Sequence, residues 1–349
     1  MRHRAARPVA IARTVAASAV VVVSLAACAA SPGAASGPTT ALPADSASPA
    51  TESPATENAY PLTVTNCGIE VTVLAAPERI VTIKSSTTEL ALALGLADRM
   101  VGAAFLDGPL ADEVAAAGAD VPVISDALPN AEAVLELAPD LVFAGWESNL
   151  TAEGAGERDV LAGLDIASYV PPAACRESGP PPVMSFDVLF EQIAETGDVL
   201  GAPEAAAELV AKQRTRLEAV VPDTRELDAL WYSSGSQTPY VGAGTGVPQM
   251  ILEAAGLSNI AADVADSWTS ISWEEVVARD PDVIVLVDSA WNTAENKKQV
   301  LAENPATSAL DAVREGRYLV VPFPATEAGV RNVAAVESLV AQLTELALD

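Results

Sequence analysis

Histidine is all but missing. The 349-residue chain holds one, His3, close to its N-terminus. Without histidine beyond that point, the chain has no Ser-His-Asp or Cys-His catalysis and no histidine general base. Histidine-ligated zinc, manganese or haem iron is excluded as well. Lysine is scarce, with Lys84, Lys212, Lys297 and Lys298 making the full set. Aromatic residues are 4% of the chain, so alanine and valine supply the apolar mass and each of the five tryptophans is informative. Positive charge is short throughout. The formal charge is −28; residues 1–27 hold four arginines and no acid, which leaves 15 basic against 47 acidic side chains from Cys28 onward, a balance near −32. Such a surface repels nucleic acid and anionic lipid headgroups. No nucleic-acid partner, metal ion or cofactor is expected.

What is there begins with an address. MRHRAARPVAIAR carries Arg2, Arg4, Arg7 and Arg13, and TVAASAVVVVSLAA is an apolar run too short to span a bilayer comfortably. Leu25-Ala26-Ala27-Cys28 follows, so residues 1–27 read as an export signal. A cysteine directly after Leu-Ala-Ala resembles the lipobox of bacterial lipoproteins. Cys28 would then be the lipidated first residue of the mature protein, held at the cell membrane by its acyl chains. The alternative is an ordinary signal peptide with a chance cysteine. Residues 28–59 are rich in Ala, Ser, Pro, Thr and Gly without apolar periodicity, which reads as a flexible tether. The globular body is expected to begin near Tyr60. Cys67 and Cys175 remain, both in turn-like contexts. In an oxidising exported compartment an even pair suggests one disulfide, with two buried free thiols as the alternative.

From Pro77, short β-rich runs (RIVTIK, MVGAAF, VPVIS, LVFAG, DIASYV) alternate with helical runs (TTELALALG, NAEAVLELA, GERDVLAGL). That alternation indicates a parallel α/β sheet, and residues 60–185 read as an N-terminal lobe. Residues 186–222 are helical. PEAAAELVAKQRTRLEAVV has Pro203 in its first turn, apolar residues at three- and four-residue spacings, and Pro222 as its stop. At about 19 residues it would be near 28 Å long, a strut between two lobes. The α/β alternation resumes over 223–349 with LDALWYSS, VPQMILEAAG, SWEEVVARD, VIVLVD and RYLVVP, and a closing amphipathic helix ends the chain. The expected fold class is α/β: two Rossmann-like lobes with mostly parallel sheets, joined by one long helix.

Two phrases repeat at an offset of 142 residues. NAEAVLELAPDLV and SWEEVVARDPDVIV align Glu132 with Glu274, Val134 with Val276, Pro139 with Pro281 and Asp140 with Asp282, which suggests pseudo-twofold architecture. Ligands of open parallel sheets bind beyond the carboxyl ends of the strands. The expected ligand-binding residues there are Lys84, Ser85, Ser86, Thr87, Phe105, Asp107, Trp146 and Asn149 in the first lobe. The second lobe supplies Ser233, Ser234, Tyr240, Trp268, Trp291, Asn292, Glu327 and Arg331. Trp146, Trp268 and Trp291 fall in loops, where a planar ligand would cover them; the alternative is that each packs its own lobe. Lys84 opens a helix beside several hydroxyls, an anion-binding arrangement, and Arg331 is the second electrostatic candidate. Gly242-Ala243-Gly244-Thr245-Gly246 lacks the spacing of a dinucleotide or P-loop motif and reads as a turn lining the cleft.

The lipobox, the tether, PERIVTIKSSTTELALALGLADRMVG, both repeated phrases, the strut and the closing helix together resemble the substrate-binding lipoproteins of ABC importers. The class is the one that captures iron-siderophores and cobalamin, and the likeness covers nearly everything from Tyr60 onward. This resemblance implies a monomer with a ligand held between the lobes and only modest closure. It also implies that Glu132 and Glu274 dock onto the two subunits of a permease coupled to ATPase subunits. FLDGP, AGWESNL, ALWYSSGSQTPYVGAG, SAWNTA and PFPATEAGVRN look most like an actinobacterial branch proposed to take up a precursor of the deazaflavin coenzyme F-420. The expected function is therefore an extracytoplasmic, lipid-anchored receptor for a small planar organic anion. A ferric siderophore, corrinoid or haem is the alternative ligand. An exported hydrolase is the alternative class, with carboxylates available but no motif to organise them.

Overall fold

The computed structural model describes residues 60–346. Cys28, the signal over 1–27 and the tether over 28–59 lie outside the described residues.

The body opens with an antiparallel hairpin, β1 (Leu62–Asn66) and β2 (Ile69–Val73), which the strand–helix alternation did not foretell. Its turn is Cys67-Gly68, both with positive φ, and Cys67 is joined to Cys175 in a disulfide. Asn66 fastens the hairpin to the first lobe. Its Nδ2 donates to the Val170 carbonyl at 2.7 Å and its Oδ1 accepts the Val170 N–H at 3.0 Å.

The first lobe follows in order: β3 (Ile80–Ile83), α1 (Ser85–Ala93), β4 (Met100–Ala104), α2 (Asp112–Ala115), β5 (Val123–Ser125), α3 (Ala131–Leu135), β6 (Leu141–Ala144), α4 (Arg158–Ala162) and β7 (Ala167–Tyr169). The strands form one parallel sheet in the order β5-β4-β3-β6-β7. β3 and β6 are buried at every position, as strands covered on both faces must be. α5 (Phe186–Val199) and α6 (Pro203–Glu218) then pack on each other, with Gly201 in the left-handed region between them. The strut is shorter than expected. α6 has 16 residues, about 24 Å, because it ends at Glu218, whose carbonyl Pro222, lacking an N–H, cannot satisfy.

The second lobe holds β8 (Asp228–Ser234), β9 (Tyr240–Gly242), α7 (Val247–Ala255), β10 (Ser258–Asn259), β11 (Trp268–Ser270), α8 (Trp273–Arg279), β12 (Val283–Asp288), α9 (Ala294–Glu303), α10 (Asp311–Arg314), β13 (Tyr318–Pro322) and α11 (Asn332–Glu345). Its sheet is mixed. β8, β12 and β13 run parallel, while β9 and β11 add antiparallel strands. The loop from Gly235 to Pro239 is too short for a crossover, so β9 must turn back on β8. Trp268 accordingly sits on an edge strand rather than in a loop. One apolar cluster runs through both lobes, from Ile80, Leu141 and Phe143 to Val283, Leu319 and Leu339.

The repeated phrases build matching corners. Asn130 and Ser272 cap α3 and α8, accepting the N–H of Ala133 at 2.9 Å and of Glu275 at 3.1 Å. Ala138 and Asp280, each before its proline, both take φ 44°. Asp140 then accepts the N–H of Arg79 at 3.0 Å at the start of β3, and Asp282 accepts that of Asp228 at 2.8 Å at the start of β8. Each Pro-Asp thus sets the register of its own strand against the first strand of its lobe.

The disulfide closes a sequence separation of 108 residues. Replacing both cysteines with serine is expected to cost about 2–5 kcal/mol, since a long closed loop restricts the unfolded chain. Urea unfolding of the two proteins measures it, and equal midpoints would contradict the expectation.

Candidate functional site

In the first sheet the chain moves outward from β3 to β5, then returns to β6 on the other side. The strand order therefore reverses between β3 and β6, and the loops after them diverge to leave a crevice. Ser86 follows β3 and Trp146 follows β6. Gly145 permits the close approach, since a Cβ there would stand 2.7 Å from that of Lys84. The carboxyl ends of β8, β12 and β13 face the same space and bring Ser233, Ser234, Trp291 and Phe323. The result is a cleft of about 480 Å³ lined from both lobes, with Tyr240, Trp268 and Glu327 also in its wall.

Its aromatic walls are organised in pairs. Tyr240 and Trp268 stack with ring centroids 5.7 Å apart and planes 14° from parallel, held by the pairing of β9 with β11. Trp291 meets Phe323 edge to face at 5.0 Å and is 62% exposed, open to a ligand. Trp146 meets Phe105 edge to face at 6.1 Å.

The charges are arranged differently from the sequence expectation. Lys84 is not an anion site. Its ammonium pairs with Asp107, and both side chains are 1% exposed. The rings of Trp146, Phe105 and Phe323 surround its Nζ at 3.8, 4.5 and 5.2 Å from their centroids. The other polar groups of that loop turn inward too. Asp107 N–H donates to Ser85 Oγ at 2.8 Å, and Thr87 Oγ1 donates to the Ile83 carbonyl at 2.7 Å. Of Lys84, Ser85, Ser86 and Thr87, Ser86 is the one in the cleft wall. Arg331 is likewise engaged. It grips Glu89 with two nitrogens, Nε at 2.6 Å, and donates to the Pro109 carbonyl at 2.7 Å. The physical reason is common to both: a buried charge is costly unless paired, and each cation has taken an acid from the protein itself.

Three more expected contacts are corrected. Phe105 packs edge to face with Trp146 and stays outside the cleft wall. Asn149 is buried, and its Oδ1 accepts the Trp146 backbone N–H at 3.0 Å, so it shapes the loop. Asn292 gives its carbonyl to Lys297 Nζ at 2.6 Å and its side chain to Asn296 at 3.0 Å. Arg176 and Phe323 also line the cleft and are not among the expected contacts, although Phe323 shares the expected strand-end loop of Glu327. Phe323 could have been found, since it directly follows β13. Arg176 could not, because the disulfide at Cys175 brings its segment in from an irregular stretch. Arg176 donates to Ser267 Oγ at 2.6 Å and pairs with Asp266 at 3.2 Å.

Glu327 joins the lobes. Ser86 Oγ donates to its Oε2 at 2.8 Å and Trp146 Nε1 to its Oε1 at 2.6 Å. Burial pushes its pKa up to about 7; Lys84 and the two hydrogen bonds pull the other way, and Asp107 adds to the rise. Glu132 and Glu274 lie far from this chemistry in kind. Both are exposed at the second position of their helices, α3 and α8.

A family model for periplasmic binding proteins matches residues 80–325. The chain belongs to the periplasmic binding protein family. It is 27% identical over 290 residues to the ABC transporter substrate-binding lipoprotein YvrC of Bacillus subtilis, covering 80% of this chain and 84% of that one. It is 32% identical over 228 residues to a cobalamin-binding protein of Halobacterium salinarum, covering 63% of this chain and 56% of the relative. Among solved structures, an ABC-type Fe3+-hydroxamate transport system from Saccharomonospora viridis superposes with a TM-score of 0.70 at 30% identity, covering 82% of this chain and 99% of that one. These relatives are transport substrate-binding proteins, not enzymes, and the family is extracytoplasmic. Among the described residues no helix is long and apolar enough to cross a membrane, and no cluster of three or more His, Cys, Asp or Glu could hold a metal ion.

Lys84→Met should destabilise the protein by about 3–5 kcal/mol, because it leaves Asp107 buried and unpaired. Adding Asp107→Asn should restore much of the loss. Urea denaturation of the two variants tests this; a neutral Lys84→Met would contradict the pairing.

Proposed function

We propose that the protein is the extracytoplasmic receptor of an ABC importer and captures a small organic ligand between its lobes, against aromatic faces. The observation that carries this reading is the cleft itself, with aromatic faces supplied by both lobes at the ends of their strands. The Bacillus subtilis relative, by its name, supports both the importer and the lipid anchor assigned to Cys28. Glu132 and Glu274 support a two-point dock. They are exposed and related by the internal repeat, as two similar permease subunits would require. The protein acts as a monomer, with a permease dimer and its ATPase subunits as partners.

For the finer identity, the flat ring of a deazaflavin coenzyme F-420 precursor suits the aromatic walls, while its anionic tail would find in the cleft wall only Arg176, already paired with Asp266. A corrinoid, ferric siderophore or haem is the second reading. One observation favours the first two of these: Lys84 and Arg331 are neutralised by their own acids, while Glu147, Glu177 and Glu327 line the cleft against Arg176. That balance suits neutral or cationic ligands better than anions. The relatives named for cobalamin and for Fe3+-hydroxamate point the same way.

Tryptophan fluorescence titrated with the deazaflavin precursor, a cobalamin and a ferric hydroxamate should quench saturably with one of them, without chemical change to it. Glu132→Ala with Glu274→Ala should leave that quenching intact and reduce uptake severalfold in cells. No quenching and no change in melting temperature with all three would overturn the proposal. Loss of quenching in the glutamate variants would move those residues out of the docking role.

A further inference from the structure

Trp146 is the ring that the first lobe contributes to the cleft wall, yet its polar edge is held from the second lobe. Its indole Nε1 donates to Glu327 Oε1 at 2.6 Å, and the neighbouring Ser86 Oγ donates to Glu327 Oε2 at 2.8 Å. The rest of the ring is constrained as well. Lys84 Nζ sits 3.8 Å from its centroid, Phe105 packs against it edge to face, and Asn149 fixes its backbone N–H. An indole so placed has its N–H direction set by one acceptor. We propose that Glu327 is the positioning residue of the ligand wall, locking Trp146 across the lobe interface most firmly when its carboxyl is ionised.

The chemistry follows from the donors. A carboxylate accepts from both groups at once, and a hydrogen bond to an ion is about twice as strong as one between neutral partners. A protonated Glu327 keeps one carbonyl oxygen for Trp146 and turns its O–H towards Ser86 Oγ, so the indole is held by a neutral acceptor. The groups facing Glu327 are Lys84 and Asp107 from the first lobe. On its own side Arg331 follows four residues later, with its charge taken up by Glu89. Burial, opposed by Lys84, brings the change of state to about pH 7. Above that pH the wall is rigid; below it Trp146 gains freedom, and a ligand must order it on binding. The consequence for ligand affinity rests on the receptor reading. The clasp itself does not.

The test uses the ligand-free protein labelled with 15N-tryptophan. Trp146→Phe assigns the Trp146 indole N–H among the five signals. Between pH 5.5 and 8.5 that signal should move with one midpoint near 7 in the wild type and stay fixed in Glu327→Gln. Ser86→Ala, which keeps the titrating group but removes a donor to its charged form, should shift the midpoint upward. A wild-type signal that does not move, or that moves equally in Glu327→Gln, would overturn the proposal. Fluorescence titration with the quenching member of the ligand panel then reads the consequence: affinity should rise severalfold from pH 6 to 8 in the wild type and stay level in Glu327→Gln. If the indole signal titrates and no panel ligand binds, the receptor reading fails and the clasp stands. If a ligand binds and the signal is silent, the reverse holds.

Discussion

Arg331, at the mouth of α11, reaches out of the second lobe and closes on Glu89 in the first. Glu89 is 1% exposed and Arg331 14%, so neither charge could stay in place without the other. That pair is a charged tie between the two lobes that frame the cleft. At the same interface Glu327 meets Ser86 and Trp146, and Phe323 comes within reach of the Lys84 ammonium. The continuous apolar cluster beneath both lobes works in the same direction, but it has no directionality. The polar contacts supply the register.

A cleft assembled in this way is ready before a ligand arrives. Its rings are already paired, at 5.7 Å for Tyr240 with Trp268 and 5.0 Å for Trp291 with Phe323, so little side-chain freedom remains to be lost on binding. The arrangement also divides labour. Cations that look available in the sequence are spent on holding the scaffold, and recognition falls to flat apolar faces with a few polar groups at their margins.

Much of the fold was legible because parallel strands buried on both faces are continuous apolar runs, as in IVTI and VIVLVD. The repeated Pro-Asp was legible too, and its meaning became clear once Asp140 and Asp282 were seen to bond to the first strands of their lobes. The β1–β2 hairpin and α9 were not read. The first is short and partly exposed, and the second, AENKKQVLAE, has a weak apolar face. At the site, Trp146 and Trp291 could be placed from strand ends, whereas Trp268 belongs to an antiparallel edge strand that the parallel alternation hid. Lys84 and Arg331 could not be judged, because their partners Asp107 and Glu89 lie 23 and 242 residues away in sequence. Pairing across such distances is a property of the fold.

The most direct measurement is a double-mutant cycle across the lobe interface, with Glu89→Gln and Arg331→Met followed by urea unfolding. If the pair ties the lobes together, each single change costs about 3 kcal/mol or more, and the double mutant costs less than their sum by more than about 1 kcal/mol. Costs that add, with no coupling, would contradict it.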